Sequence, residues 1–212
     1  MEITAASANR EYLPGVALTD NGYSITSGTT LGTGDAVHSV TVTGSQEVKG
    51  SSANVASNAI IKDGSGNEVT DNYSITYIDG VLAVDVATQT ITATDLTIVY
   101  DGMAHSLNEI IASTNGDSVL TYTVDGDTDF TITNPGTVNV LITAPGTDKY
   151  APATKTVKFA VAKRPITIAA PSVSKIVGNS FSAAETGNWY ISSGSLVEGD
   201  VIDDAEFKAE PE

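Results

Sequence analysis

The stretch DNYSITYIDGVLAV, residues 71–84, alternates apolar and small polar side chains along most of its length. Tyr73, Ile75 and Tyr77 occupy every second position, which is the period of a half-buried β-strand. An Asp-Gly pair follows at residues 79–80, and this dipeptide is a common centre of tight hairpin turns with positive φ. The pattern predicts a closing β-hairpin whose two tyrosines and isoleucine fill the core of a sandwich.

Similar β-runs recur along the whole chain, separated by Asp-Gly, Asn-Gly, Pro-Gly and Gly-Ser-Gly turn signals. They cover residues 36–45, 54–61, 118–124, 130–136, 137–146 and 154–161. No segment keeps the 3.6-residue period of a helix; residues 103–113 come closest, and we expect strand with a short turn there. Short strands at this spacing predict an all-β chain of sandwich units, with a β-grasp-like unit as the alternative.

The composition agrees with folded β-domains. The 212 residues with 41% hydrophobic content suffice for the cores of one large or two to three small domains. The apolar residues are mostly Val, Ile, Ala and Leu beside abundant Thr and Ser, which favours strands. A formal charge of −16 repels both a phosphate backbone and an anionic membrane surface. We therefore expect no nucleic-acid partner.

Neither a membrane span nor an export signal is visible in the sequence. No run approaches the ~18 apolar residues of a spanning helix, and the opening MEITAASANR lacks a basic region followed by an apolar one. We therefore expect no membrane insertion in this segment, and we interpret it as a piece whose signal and anchor lie elsewhere. The absence of cysteine excludes disulfides and thiolate metal sites but leaves the compartment open.

Internal similarity divides the chain. The opening MEITAASANREYLPG recurs as QTITATDLTIVYDG, residues 89–102, with Tyr12 matching Tyr100. YIDGVLAVDVA closes the first unit and KTVKFAVAKR closes the second, and each leads directly into the next ITA or ITI start. We predict a first repeat over residues 1–86 and a second over residues 87–163.

A third start, PITIAAPSVSKIVG, begins at Pro165, and NWYISSGSLVEGDVI in it parallels NGYSITSGTTLGTGDAV of the first repeat, with Tyr190 matching Tyr23. Residues 164–212 are predicted to be the N-terminal half of a truncated third repeat. Its apolar positions lack the covering strands of the first repeat: Ile166, Ile168, Phe181, Trp189 and Ile191. Poor order, docking on the second repeat and strand pairing with another chain all remain open.

The junctions between these units are short. Only about four residues, 85–88 and 162–165, separate one closing strand from the next start. Pro165 fixes its own φ and holds Arg164 extended. Neighbouring repeats are thus predicted partners of one another in a semi-rigid rod.

Several of these segments together resemble a known family. YDG with AH-L (residues 100–107), GTTLGTGD, GSLVEGD, VTVTGSQEVKGSSANV and NYSITYIDGVLAV are similar to the MBG-type and related immunoglobulin-like tandem repeats of bacterial cell-surface and secreted adhesin-like proteins. The resemblance covers nearly the whole chain and implies immunoglobulin-like β-sandwich repeats that form a stalk. Residues 11–15, EYLPG, depart from the Tyr-Asp-Gly turn of the family, which alters that turn.

The best candidate for a small binding site is VDGDTDF. Asp125, Asp127 and Asp129 recur at every second position in a turn, and carboxylate oxygens are the ligands that Ca²⁺ prefers. A calcium loop needs six or more oxygens and often a later bidentate Glu, which is missing here. We expect no cofactor and interpret these residues as a solvated acidic hairpin, with a weak calcium site as the alternative.

Trp189 and Tyr190 are the candidate residues for a glycan contact, because adjacent aromatic rings can stack on a sugar face. Packing at the core or rim of the repeat is the favoured interpretation, since Tyr190 aligns with a repeat position. Host glycans or mucin are the corresponding partners.

Signals of catalysis are missing. GxSxG, HExxH, GxGxxG and P-loop motifs are absent, and the two histidines, His38 and His105, have no second ligand or nucleophile at a suitable spacing. Val157, Phe159 and Val161 share one strand face and Lys158 takes the other, which argues against a buried isopeptide bond.

The sequence therefore predicts non-catalytic stalk repeats of an extracellular protein at the bacterial surface or secreted. An adhesin module that binds host glycans or mucin is the first alternative. Accessory β-domains of an extracellular carbohydrate-active enzyme are the second, with the catalytic part outside these residues.

Overall fold

The structure is a computed structural model that describes residues 1–27, 30–170 and 189–203. This part of the chain is all-β and contains no α-helix, which confirms the predicted class. No helix within it is long and apolar enough to cross a membrane. The strands are β1 (Glu2–Ala5), β2 (Ala8–Glu11), β3 (Tyr23–Ser27), β4 (Ala36–Thr43), β5 (Gly50–Lys62), β6 (Thr76–Ile78), β7 (Gly80–Asp85), β8 (Ile91–Ala93), β9 (Leu96–Val99), β10 (His105–Ser106), β11 (Ala112–Thr114), β12 (Thr121–Thr123), β13 (Thr131–Ile132), β14 (Gly136–Ala144), β15 (Ala153–Ala162), β16 (Thr167–Ala169) and β17 (Tyr190–Ser193).

Two short 3₁₀ turns, Thr70–Asn72 and Leu107–Glu109, complete the secondary structure of the described chain. The second lies inside the segment 103–113, between β10 and β11, so the expectation of strand with a short turn is confirmed there. Ser106 and Glu109 form a reciprocal capping box around this turn, which satisfies backbone groups that a single turn of helix leaves free.

Strands β1 to β7 form two sheets. In one, β1 lies between β3 and β6, antiparallel to the first and parallel to the second. In the other the order is β2-β7-β5-β4, with β2 parallel to β7. Side chains from both sheets meet in one buried cluster, Ile3, Ala5, Val42, Ala56 and Ala59. The two sheets therefore pack as a sandwich around small and β-branched residues.

The prediction that residues 71–84 form a hairpin is wrong. β6 pairs with β1, whereas β7 pairs with β5 and β2, so the chain crosses from one sheet to the other at Asp79. Gly80 is buried and is not in the left-handed region. A Cβ there would lie 2.1 Å from the Ala6 carbonyl oxygen. The glycine permits this close backbone approach and does not make a tight turn.

The two tyrosines of the same stretch support the sandwich through their hydroxyl groups. Tyr73 donates to an Asp35 carboxylate oxygen at 2.5 Å and accepts from a loop amide, and Tyr77, 37% exposed, accepts from the Ala59 amide at 2.9 Å. Ile75 packs against the buried cluster. The core prediction is therefore confirmed for the isoleucine and wrong for the tyrosines, whose polar tips need partners at the edge.

The sheet β12-β14-β15-β9 repeats a pairing of the first sandwich residue by residue. β2 pairs with β7 in parallel from Ala8 opposite Leu82, and β9 pairs with β15 in parallel from Leu96 opposite Phe159. Each pairing runs over four residues. Leu82 and Phe159 are both fully buried. The predicted alternation of Val157, Phe159 and Val161 toward the core is confirmed as well.

The polar contacts at the two ends of these pairings also match. Before the short strand, the Ser7 hydroxyl accepts from the Val81 amide, and the Asp95 carboxylate accepts from the Lys158 amide. After it, the Tyr12 amide donates to the Asp85 carbonyl at 2.7 Å. The Tyr100 amide donates in the same way to the Ala162 carbonyl at 2.9 Å. The two segments thus share register as well as strand order.

The chain forms two compact units. The first comprises Met1–Thr92, Ala112–Thr121 and Ile142–Lys155, and the second comprises Ala93–Ile111, Tyr122–Leu141 and Thr156–Glu212. The predicted division into repeats at residues 86 and 163 is a statement about sequence similarity and stays a prediction.

A Gly80→Ala substitution should lower the free energy of unfolding by about 1–3 kcal/mol, because the added methyl group overlaps the Ala6 carbonyl. Urea denaturation followed by far-UV circular dichroism measures the change. Gly64→Ala is the matched control, since its Cβ would meet its nearest neighbour at an ordinary 3.7 Å. Equal stability of the two variants would contradict the close approach at Gly80.

Candidate functional site at the two joints

The acidic residues proposed for calcium lie in a tight turn. Asp125 and Gly126 have φ of 50° and 89°, and the backbones of Val124 and Asp127 exchange two hydrogen bonds. Positive φ at both central residues is the I′ geometry that Asp-Gly favours. Asp125, Asp127 and Asp129 are all exposed, and an Asp127 oxygen accepts the Asp129 amide at 2.9 Å.

In the described ranges, no group of three or more histidine, aspartate or glutamate side chains is arranged to hold a metal ion. The calcium site at Asp125, Asp127 and Asp129 stays a prediction from the sequence.

Trp189 and Tyr190 lie at the start of β17, where Trp189 is half-buried and Tyr190 is 53% exposed. Ile191 pairs with Ile168 of β16 and Tyr190 with Ala169. Consecutive strand residues point to opposite faces, so Tyr190 points away from the face of Ile191. The two rings are adjacent in the chain, and their contact with a glycan stays a prediction. Phe181, named with them as an uncovered apolar residue, lies outside the described residues.

The sequence alignment of Tyr190 with Tyr23 is off by one residue. In β3, Tyr23 pairs with Ala5 and Ile25 pairs with Ile3. Tyr23 precedes Ile25 by two positions, so the two side chains lie on the same face of the sheet. Tyr190 precedes Ile191 by one position. A one-residue difference places a side chain on the other face of a sheet. The packing of Tyr23 therefore gives no guide to that of Tyr190.

The two histidines have different surroundings. His38 is exposed on β4. The His105 side chain, 12% exposed, lies between two carboxylates, with Nε2 3.1 Å from Asp101 and Nδ1 3.0 Å from Glu109. The hydrogen bond to Glu109 raises the pKa of His105, the bond to Asp101 adds to the rise, and burial opposes both. Both ring nitrogens donate when the ring is protonated, so the His105 side chain then links Asp101 to Glu109 across β10 and the turn after it. We call this arrangement the clamp.

The first joint is the meeting of residues 85–88 with the loop 145–152 that connects β14 to β15, and all of it lies within the first compact unit. The Ala87 amide donates to the Lys149 carbonyl at 2.8 Å, and the Ala151 amide donates to the Ala87 carbonyl at 2.9 Å. The Lys49 amide donates to the Asp148 carbonyl at 3.0 Å. Two backbone hydrogen bonds at Ala87 therefore restrict a segment whose length alone would restrict it only in part, and a third holds the loop to Lys49.

Side chains also make contacts at the first joint, through one pair of aromatic rings and one ion pair. The rings of Tyr12 and Tyr150 meet edge to face, with centroids 5.6 Å apart and planes at 77°, a favourable arrangement of aromatic quadrupoles. The Lys149 ammonium lies 3.5 Å from the Asp117 carboxylate, which raises the pKa of Lys149. Asp117 also accepts from the Thr147 hydroxyl at 3.0 Å.

Gln89 anchors the loop of the first joint from inside. Its side chain is 5% exposed, and Nε2 lies 3.5, 3.4 and 3.2 Å from the carbonyl oxygens of Ala144, Pro145 and Ala151. A Cβ on Gly116 would meet Gln89 Oε1 at 1.8 Å, so a larger residue at that position would force the Gln89 side chain to shift. A buried amide that joins both ends of a loop makes the loop costly to displace.

The second joint is the meeting of residues 162–166 with residues 194–200, and it lies within the second compact unit. The Arg164 guanidinium donates to the Ser195 carbonyl at 2.8 Å and to its hydroxyl at 2.9 Å. The Tyr100 hydroxyl donates to Asp200 at 3.4 Å. Gly194, with φ of 80°, permits the Pro165 carbonyl to approach. A cavity of about 270 Å³ lies here, lined in part by Tyr100, Arg164 and Leu196.

Sequence reasoning matched Tyr12 with Tyr100 but missed the loop residues that lie at the first joint. Asp117, Lys149 and Tyr150 are far apart in sequence from Tyr12 and Ala87, and no period relates them. The available signal was a charged and aromatic Lys-Tyr pair between Gly146 and Pro152, in a loop otherwise free of large apolar side chains. Such a pair in a turn indicates a contact surface and not a core.

No protein-family model matches the chain, and no curated protein matches it.

The stability of the second compact unit should fall as pH rises through the pKa of His105. The folded value lies above the ordinary 6.5, so the contribution of the clamp is complete below about pH 6.5 and is lost above the folded pKa. Urea midpoints at intervals between about pH 6 and 9 measure the effect. His105→Gln should remove this component, and an unchanged pH slope in that variant would exclude the clamp as its source.

Proposed function

We propose that the chain is a run of immunoglobulin-like stalk repeats, non-catalytic, from a bacterial cell-surface or secreted protein. The observation that carries the proposal is the first joint, where Ala87 exchanges two backbone hydrogen bonds with Lys149 and Ala151. A spacer that projects another domain must resist bending between its modules. Backbone pairing of the linker with the next module supplies that resistance, because it removes the linker's own torsional freedom.

The same arrangement of a short strand, a closing strand and a tyrosine occurs twice in the chain, and this supports the proposal. The short strand before Tyr12 and the short strand before Tyr100 are paired in the same register with the closing strand of their own segment. Each of the two tyrosines then contacts a residue of the following segment, Tyr150 in one case and Asp200 in the other. A repeat that contacts the next repeat through the same residue can be added in series without a new type of contact.

The charge distribution is compatible with an extended surface protein. A net charge of −16 over 212 residues opposes close association of neighbouring copies and keeps a repetitive β-protein in solution. Neighbouring repeats of the same chain are the expected partners. The resemblance to adhesin-like surface repeats supports the extracellular location.

Insertion of Gly-Gly-Ser-Gly between Val86 and Ala87 tests the stalk. In the wild-type chain, NMR relaxation should give residues 1–85 and the loop 145–152 one common rotational correlation time. The insertion should split it into two shorter times, because the linker then behaves as a flexible coil. Tyr150→Ala should produce a smaller loss of coupling, since the backbone hydrogen bonds remain.

The same four residues inserted between Gly64 and Ser65, in an exposed loop, are the matched control and should leave the common correlation time unchanged. Independent tumbling already present in the wild-type chain would contradict the stalk.

Direct glycan binding is the second candidate, favoured by the exposure of Tyr190 on the face opposite Ile191. A mucin-glycan array, run with and without Ca²⁺, tests it: sugar-specific binding that Tyr190→Ala removes would support an adhesin, and a blank array would remove this candidate.

A further inference from the structure

Asparagine is followed by glycine twice in the sequence, at residues 21–22 and 115–116. In such a pair the backbone nitrogen of the glycine can attack the side-chain carbon Cγ of the asparagine and close a succinimide ring. Glycine hinders this attack least, because it has no Cβ and its backbone adopts the widest range of conformations. Each pair is therefore a candidate for spontaneous modification, and its surroundings decide whether it reacts.

The pair at 115–116 is held in place. Asn115 Oδ1 accepts from the Thr90 amide at 2.7 Å, and Asn115 Nδ2 donates to the Thr88 carbonyl at 3.4 Å. The Gly116 amide donates to the Thr114 hydroxyl at 3.1 Å. Rotation of the Asn115 side chain toward the Gly116 nitrogen would break both of its hydrogen bonds. This pair is therefore protected.

The pair at 21–22 has the opposite surroundings. Both residues are exposed, and none of the residues that the structure describes holds the Asn21 side chain through a hydrogen bond. The Gly22 amide donates to Asp20 Oδ1 at 2.7 Å. The attacking nitrogen must lose a proton, and that proton already lies on a carboxylate base.

From this contrast we infer that Asn21 is a site of spontaneous conversion to isoaspartate, with Asp20 as the base. The Asp20 carboxylate takes the amide proton of Gly22, and a bond forms between the Gly22 nitrogen and Asn21 Cγ. The bond from Cγ to Nδ2 breaks, and Nδ2 takes up a proton and leaves as ammonia. One water molecule then opens the succinimide at either carbonyl, which leaves aspartate or isoaspartate at residue 21. The inference is independent of the proposed stalk.

The modification strikes a point that is anchored on both sides. The Asp20 carbonyl accepts from Asn54 Nδ2 at 2.8 Å, and the Gly22 carbonyl accepts from the Ala6 amide at 2.9 Å. Isoaspartate routes the main chain through the side-chain carbon and adds one methylene group between these anchors. Asn54 is 0% exposed, so water does not replace a lost acceptor there. Isoaspartate at residue 21 therefore destabilises the first compact unit.

The test is incubation of the full chain at neutral pH and physiological temperature for several weeks, followed by tryptic digestion and mass spectrometry. The peptide of residues 11–49 contains Asn21 as its only asparagine, and the peptide of residues 63–149 contains Asn115. We expect the mass difference between an amide and an acid in the first peptide, with isoaspartate in its fragment spectra. Asn115 should stay unchanged.

Two variants separate the steps. Asp20→Asn keeps an oxygen that accepts from the Gly22 amide but removes the base, so conversion at Asn21 should slow at least about tenfold. Asn21→Gln is the matched control for stability, because closure of the larger ring is much slower. Urea denaturation of the aged proteins should give a lower midpoint for the wild-type chain and an unchanged one for Asn21→Gln.

Three outcomes would overturn the inference: no conversion at Asn21, equal conversion at Asn21 and Asn115, or a rate that Asp20→Asn leaves unchanged. An equal fall of the urea midpoint in aged Asn21→Gln would overturn its structural consequence.

Discussion

Parallel pairing of a short early strand with the closing strand of the same segment is the constraint on which the rest of the structure depends. β2 with β7, and β9 with β15, place two C-terminal strand ends at the same sheet edge. The residue after the early strand, Tyr12 or Tyr100, is bonded there to the last residue of the closing strand. The linker to the next segment starts at this last residue of the closing strand. The tyrosine therefore lies beside the next segment, and no loop is needed to place it there.

Two buried amides stabilise the connections around this arrangement. Asn54, fully buried on β5, donates from Nδ2 to the carbonyls of Ala6 and Asp20, and Gln89 reaches three carbonyls of the loop at the first joint. Each amide uses its donors on backbone carbonyls that lie in loops or, for Ala144, at the end of a strand. Among the residues that the structure describes, the side-chain oxygens of Asn54 and Gln89 have no hydrogen-bond partner, an unfavourable term that the donor contacts offset. A single buried side chain thus holds the connections around each of these two sites from inside.

Sequence periodicity predicts the strands because burial on one face leaves a period of two, and the faces of Val157, Phe159 and Val161 follow from it directly. It does not predict which sheet a strand joins. Only one residue separates β6 from β7, yet the two strands join different sheets. What determines this is the approach of the Ala6 carbonyl to Gly80, a residue distant from it in sequence. The same limit applies to the joints, since the contacts of Tyr12 with Tyr150 and of Asp117 with Lys149 join residues that no local pattern relates. Matching of sequence segments paired Tyr12 with Tyr100 correctly but misplaced Tyr190 by one residue, because Tyr190 precedes its paired isoleucine by one residue where Tyr23 precedes its own by two.

The parallel pairing has a mechanical consequence. Tension drawn through the backbone pulls β2 from its N-terminal end and β7 from its C-terminal end, in opposite directions along a common axis. The hydrogen bonds that join Ala8–Glu11 to Leu82–Asp85 are then loaded in shear and must rupture together. In an antiparallel hairpin pulled at its open end, the bonds would instead break one at a time. Each such strand pair therefore works as a force clamp, and its resistance is a property of the order in which the strands lie in the sheet.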